Sequence, residues 1–181
     1  MVMKRNKKAG LFLLFLFLAV LLLTYYTADK TDRSVGNADY YVKVVSVSDG
    51  DTFTGLTDGN QRVRFRLQGV DAPERSQPYS KKSTDKLSNM IYGKRVGIEE
   101  HTASDQYGRP VVYVFTSDGV DVCAEMLRSG MAWHYKHYDK STHYSELERQ
   151  ARSEKKGLWE DSDPEPPWDY RRRMRLKSGD K

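Results

Sequence analysis

The sequence predicts an α+β fold: a five-stranded β-barrel with three flanking helices, preceded by an N-terminal hydrophobic helix. Three observations carry this expectation. The apolar and β-branched runs follow one another in the order β-β-β-α-β-β-α-α. In residues 62–67, Val63, Phe65 and Leu67 alternate with Arg62, Arg64 and Arg66, a period of two with one apolar face. At the start, Lys4, Arg5, Lys7 and Lys8 precede an unbroken run of 13 apolar residues from Leu11 to Leu23.

That N-terminal run has the charged flank and apolar centre of an export signal. With its flanks it reaches 18 residues, from Ala9 to Tyr26, just enough to span a bilayer. A cleavage after Ala28 would place the bulky Tyr26 at the −3 position, so the reading leans toward an uncleaved anchor. In either case the basic flank stays in the cytoplasm and the remainder is extracytoplasmic, anchored or secreted. Residues 1–28 are thus read as a signal peptide or signal-anchor and the polar residues 29–40 as a linker. Residues 41–168 form the folded domain and residues 169–181 a basic tail.

Within the domain, residues 41–47 form the first strand, and Ser48-Asp49-Gly50 turns the chain into a second at 51–56. Thr57-Asp58-Gly59-Asn60 closes the hairpin onto the arginine-bearing strand. Residues 78–92 read as a helix with Tyr79, Leu87, Met90 and Ile91 inward and Gly93 as its stop. Strands at 95–100 and 110–116 flank the turn Ser104-Asp105-Gln106-Tyr107-Gly108. Two further helices follow, one through Val122, Cys123, Met126 and Leu127, the other over 143–156 with Tyr144, Leu147 and Ala151 on one stripe. Three strands, a helix and two more strands suit a barrel of the oligonucleotide/oligosaccharide-binding type. The proline-rich residues 161–168 read as extended, and the arginine run after them as a solvated charge run.

Charge narrows the function. The 181-residue chain carries a formal +5, but the excess lies at its ends. Residues 1–30 hold five Lys/Arg against one Asp, and residues 171–181 six against one, leaving residues 31–170 at −4. Binding of polyphosphate by bulk charge is disfavoured, so any phosphate contact must be local. A single cysteine, Cys123, excludes an internal disulfide and a Cys-cluster zinc site, and sits on an apolar helix face as a structural thiol. The four histidines lack the paired spacing of a zinc site.

Two acidic clusters frame the arginine strand: Asp49-Gly50-Asp51-Thr52 before it and Val70-Asp71-Ala72-Pro73-Glu74 after it. If the second and third strands pair, Asp51 lies across from the end of the third strand, close to Arg66 and Asp71. Carboxylates converging beside an arginine suit a hard divalent cation, which takes oxygen ligands. The arginine would then hold a substrate phosphate in its fork of donors.

These motifs, with Asp105-Gln106-Tyr107-Gly108-Arg109, Gly130-Met131-Ala132-Trp133 and Lys155-Lys156-Gly157-Leu158-Trp159, resemble the staphylococcal nuclease (thermonuclease) family over residues 41–168. The resemblance implies a Ca²⁺-dependent, largely sequence-independent nuclease acting on DNA and RNA. It assigns Asp51 and Asp71 as calcium carboxylates and Ala72 as a backbone-carbonyl ligand. It assigns Glu74 to the attacking water, Arg66 and Arg109 to the scissile phosphate, and Tyr107 and Tyr138 to the nucleotide. Lys136 departs from the family pattern, standing where a second tyrosine is often found. The expected state is a monomer, with the membrane as a partner if the N-terminal segment stays uncleaved. The alternative is a catalytically silent barrel that binds nucleic acid or protein at the membrane.

Overall fold

The computed structural model describes residues 38–179 and three isolated helical positions, Leu16, Phe17 and Ala19. Most of the expected signal or anchor segment lies outside the described residues. Among the described residues, no helix is long and apolar enough to cross a membrane.

Alternation of apolar and polar side chains builds the barrel. Strands β1 (Tyr40–Asp49), β2 (Thr52–Leu56), β3 (Arg62–Leu67), β5 (Arg95–Ser104) and β6 (Pro110–Phe115) close in the order β1-β2-β3-β6-β5. All neighbours are antiparallel except β3 and β6, which run parallel with Arg66 opposite Val111. Val42, Val44, Phe53, Phe65, Leu67, Val96, Ile98, Val112 and Val114 are buried in one core. Phe53 and Phe65 face each other in the β2–β3 register, their rings stacked at 5.2 Å.

Helix α1 (Ser80–Ile91) buries Leu87 and Ile91. Helix α2 (Val122–Arg128) buries Cys123, Met126 and Leu127, and burial pushes the Cys123 thiol well above its ordinary pKa, as suits a structural thiol. Helix α3 (Thr142–Ser153) is tied to α2 by Tyr144 Oη, which donates to the α2 cap residue Asp121 at 2.8 Å. A short two-stranded sheet joins β4 (Val70–Asp71) to β7 (Trp133–His134), with Asp71 opposite Trp133. A second apolar cluster of Trp133, Ala151, Leu158 and Trp159 takes in Tyr79 and Trp168.

Three local expectations change. The helix expected at 78–92 begins at Ser80, because Tyr79 adopts a left-handed backbone (φ 66°) that cannot continue a helix. The tyrosine expected on that helix's inward face instead joins the tryptophan cluster. Among the described residues, four α-helices, not three, accompany the barrel. The residues read as a solvated charge run form most of α4 (Pro167–Ser178). Pro167 occupies its first turn, where the fixed φ favours helix and the missing N–H costs nothing. Trp168 docks its start by stacking on Tyr135 at 5.4 Å, 3° from parallel. A charge pattern carries no trace of that tertiary anchor.

Candidate active site

The site grows from the β1–β2 turn. Gly50 is pressed against α1 and the loop after β4: a Cβ placed on it would meet the Ala72 Cβ at 2.8 Å and overlap the Ser83 hydroxyl. Only glycine lets the turn approach so closely, and this contact fixes Asp51 beside Ala72. Asp51 Oδ2 accepts the Ala72 N–H at 2.8 Å, while its Oδ1 accepts the Thr52 hydroxyl at 3.0 Å.

Thr52 pairs with Arg66 across the β2–β3 ladder, as the expected hairpin requires. Unlike Arg62 and Arg64, which are exposed, Arg66 turns inward, its side chain only 14% exposed. Its guanidinium lies 2.5 Å from Asp51 Oδ2 and 3.0 Å from Asp71 Oδ1, and it also donates to the Val70 carbonyl at 3.1 Å. The two aspartates from separate clusters therefore meet at one cation.

Charge and burial set their protonation. Burial drives Asp51 upward, yet Arg66 and the Ala72 N–H outweigh it and hold the carboxyl below its ordinary range. For Asp71, burial and the like charge of Asp51 win over Arg171 and Arg66, and its pKa is raised. Asp49 is pushed up to about 6, by burial first and then by neighbouring Asp51.

Arg109 reaches the same floor by another route. Its Nε donates to Asp105 Oδ2 at 2.6 Å, and its Nη1 donates to Thr52 Oγ1 at 3.0 Å. Asp105 also accepts the N–H groups of Tyr107 and Arg109, forming the turn that aims the arginine. Tyr107 is exposed at that turn, with the Arg109 guanidinium 5.3 Å from its ring centre. Tyr138 is exposed as well, but its ring packs on Tyr135 and His137 rather than on the acids. Lys136 bonds the buried Glu148 at 2.7 Å, so the residue that replaces a tyrosine serves as a structural ion pair.

Glu74 follows Asp71 around the β4 loop. Its N–H donates to Gln77 Oε1 at 2.8 Å, and its carboxylate accepts Arg171 Nη1 at 2.7 Å. Arg171 also binds Asp71 through both nitrogens, at 3.1 and 2.8 Å. The structure thus brings together Asp51, Arg66, Asp71 and Glu74, with Arg109 joined through Thr52. Four participants escape sequence reasoning: Thr52, Asp105, Gln77 and Arg171. Asp105 had a usable signal, four residues before Arg109 across a tight turn; Arg171 had none.

The donor set suits a hard divalent ion: carboxylates of Asp51 and Asp71 and the backbone at Ala72, with no thiol or imidazole. Among the described residues, no three acidic, histidine or cysteine side chains are grouped as a ready-made metal cage, and guanidinium groups contact both aspartates.

The family model described as staphylococcal nuclease homologue matches residues 64–161. The chain belongs to the staphylococcal nuclease homologue family. Over 136 residues it is 41% identical to an uncharacterised endonuclease of Escherichia coli, covering 75% of this chain and 88% of that one. An uncharacterised endonuclease of Haemophilus influenzae is 37% identical over 134 residues, 74% of each chain. A probable staphylococcal-like nuclease of Oryza sativa subsp. japonica is 38% identical over 151 residues, 83% of this chain and 38% of its own length. In this member of the family, Arg66, Asp71, Glu74 and Arg109 fall inside the matched stretch, and Arg171 lies beyond it.

Proposed function

We propose that this nuclease is a Ca²⁺-dependent phosphodiesterase that cuts DNA and RNA with little regard to sequence. Membership of the family makes the chain a nuclease, a hydrolase of phosphodiester bonds. The observation that carries the finer reading is Arg66 held between Asp51 and Asp71, with Glu74 linked to Asp71 through Arg171 and Arg109 linked to Asp51 through Thr52.

Asp51, Asp71 and the Ala72 carbonyl would hold Ca²⁺. When bound, the ion supplies Lewis-acid polarisation of a phosphate oxygen and lowers the pKa of water. The protein's own groups do the rest. Arg66 engages Asp51, Asp71 and the Val70 carbonyl, and Arg109 engages Asp105 through Nε and Nη2 and Thr52 through Nη1, so each of these five-donor guanidinium groups keeps N–H groups for phosphate oxygens. Such donors stabilise charge that grows in the five-coordinate transition state, each worth about 3 kcal/mol by analogy with an oxyanion donor. Glu74, more exposed than either aspartate, would accept a proton from an attacking water. Tyr107, beside Arg109, offers an exposed ring for a base, and Tyr138 offers a second.

The domain without its two ends is close to neutral, which favours grip on a single phosphate over adsorption to the whole polyanion. The basic flank and apolar run at the N-terminus support an extracytoplasmic site of action. The test is degradation of single-stranded DNA and RNA by the full chain in Ca²⁺ and in chelator. Cleavage in Ca²⁺ that chelator abolishes is expected. Equal cleavage in both would remove the metal from the reading, and binding without cleavage would leave a silent binding module.

A further inference from the structure

We propose that Arg171 is a positioning residue of the active site, holding the Asp71 and Glu74 carboxylates in one fixed arrangement. The C-terminal segment is then part of the reaction machinery. The inference rests on the nuclease reading above and adds to it a residue outside the family's matched stretch.

The contact differs in kind from the other ion pairs of α4. Arg172 meets Asp169 with its side chain 72% exposed, an arrangement that water screens. Arg171 is 34% exposed, and its partner Asp71 is 1% exposed. Its guanidinium places both nitrogens on Asp71 and one also on Glu74, a fork that spans two carboxylates. Two like charges brought together in a partly dry site would push apart, and the bridging cation removes that repulsion.

Three further ties hold the same segment, one to the Glu74 loop and two to β7 and the residue after it. Gln77 accepts the Glu74 N–H through Oε1 and donates through Nε2 to the Glu165 carbonyl at 2.9 Å. Trp168 packs edge-on against Trp133 at 5.6 Å, and Trp133 is the register partner of Asp71. The stack of Trp168 on Tyr135 locks the start of α4, and Arg171, three residues on, shares that helix face. Backbone, ladder and carboxylate are therefore all referenced to one anchored turn. A disordered or merely solvated tail would have no use for these contacts.

Arg171 and a divalent ion would share Asp71, so loss of the arginine leaves cation binding intact or stronger while the carboxylates lose their arrangement. A misplaced reacting group costs about 100-fold in rate, without a matching loss of ground-state binding. The full chain, Arg171→Gln, Arg171→Lys and the surface control Arg172→Gln are compared on a single-stranded oligonucleotide in saturating Ca²⁺. Calorimetry with Ca²⁺ alone runs in parallel. Expected for Arg171→Gln is a kcat lower by about 10- to 100-fold with KM within about 3-fold, and Ca²⁺ affinity equal or tighter. Arg171→Lys should recover part of kcat, because it restores charge without the fork. Arg172→Gln, whose side chain is screened by water, should match wild type. Trp168→Ala, which frees the anchor but keeps the arginine, should lower kcat in the same direction. Unchanged kcat in Arg171→Gln, or weakened Ca²⁺ binding, would overturn the proposal while leaving the nuclease reading standing. A wild-type chain that cleaves nothing would remove both.

Discussion

Thr52 and Arg109, 57 residues apart in sequence, are joined at 3.0 Å by a hydrogen bond from Nη1 to Oγ1. The same hydroxyl donates to Asp51 Oδ1, so one buried threonine fixes an arginine to the acid cluster. Thr52→Val keeps shape and removes both bonds. The loss of two buried hydrogen bonds to charged groups predicts a stability cost of about 2–4 kcal/mol by urea unfolding, and Thr52→Ser should retain most of it. kcat/KM on an oligonucleotide should fall about 10-fold in the valine variant. Full activity in Thr52→Val would mean that Arg109 needs no such link.

Gly50 gives a second test, of packing rather than polarity. Gly50→Ala forces a methyl group into the Ala72 side chain and the Ser83 hydroxyl, so overpacking should cost about 1–3 kcal/mol. The Ser83 hydroxyl has no hydrogen-bond partner among the described residues, so Ser83→Ala alone should be close to neutral. Combined with Gly50→Ala, it should restore part of the loss, because the two sites share one contact. Strict additivity of the two changes would show that the turn does not rest on α1.

Much of this arrangement is legible in the residues, and its gaps have physical causes. The period of two in Arg62–Leu67 places Phe65 and Leu67 in the core, and the hairpin puts Asp51 near Arg66. That same period assigns Arg66 to the exposed face with Arg62 and Arg64. It cannot show that the last arginine of the strand turns toward two carboxylates, because those come from other segments. Arg171 is further still from view. A run of arginines looks alike whether solvated or docked, and tertiary contacts such as the Trp168–Tyr135 stack separate the cases. Tyr79 escapes for a related reason: its left-handed backbone depends on tertiary contacts with the tryptophan cluster.

Asp139 makes acid stability testable away from the reaction. It is buried and accepts from the Ser141 N–H at 2.8 Å and from Gln68 and Tyr113, and pairs with His134 Nε2 at 2.9 Å. Burial raises its pKa, but these partners outweigh it and the net shift is downward. A depressed folded-state value means that the unfolded chain takes up the proton first. Its stabilisation is therefore full above the ordinary aspartate value and lost as pH falls through the folded one. Asp139→Asn should be less stable than wild type by about 1–3 kcal/mol at pH 7. The gap should narrow below about pH 4. Thermal midpoints from pH 3 to 7 check this, and a gap independent of pH would assign the effect to packing.

Arg66 allows the structural and ionic roles of the site to be separated. Its pKa is raised, because Asp51 and Asp71 outweigh its burial, so it stays charged throughout. Arg66→Gln leaves buried Asp51 without its cation and facing Asp71, which keeps only Arg171, and this predicts a loss of about 3–5 kcal/mol in the absence of metal. If those carboxylates bind Ca²⁺, the ion should restore what the arginine supplied. A ligand at 100 times its Kd stabilises the folded state by about 2.7 kcal/mol, and removal of a neighbouring positive charge lowers that Kd. The thermal midpoint of Arg66→Gln should therefore rise more on Ca²⁺ addition than that of wild type, and chelator should reverse both. Cleavage should stay impaired even after stability returns, since Ca²⁺ cannot replace the guanidinium at the phosphate. Equal Ca²⁺-induced shifts in the two proteins would place the ion elsewhere than between Asp51 and Asp71.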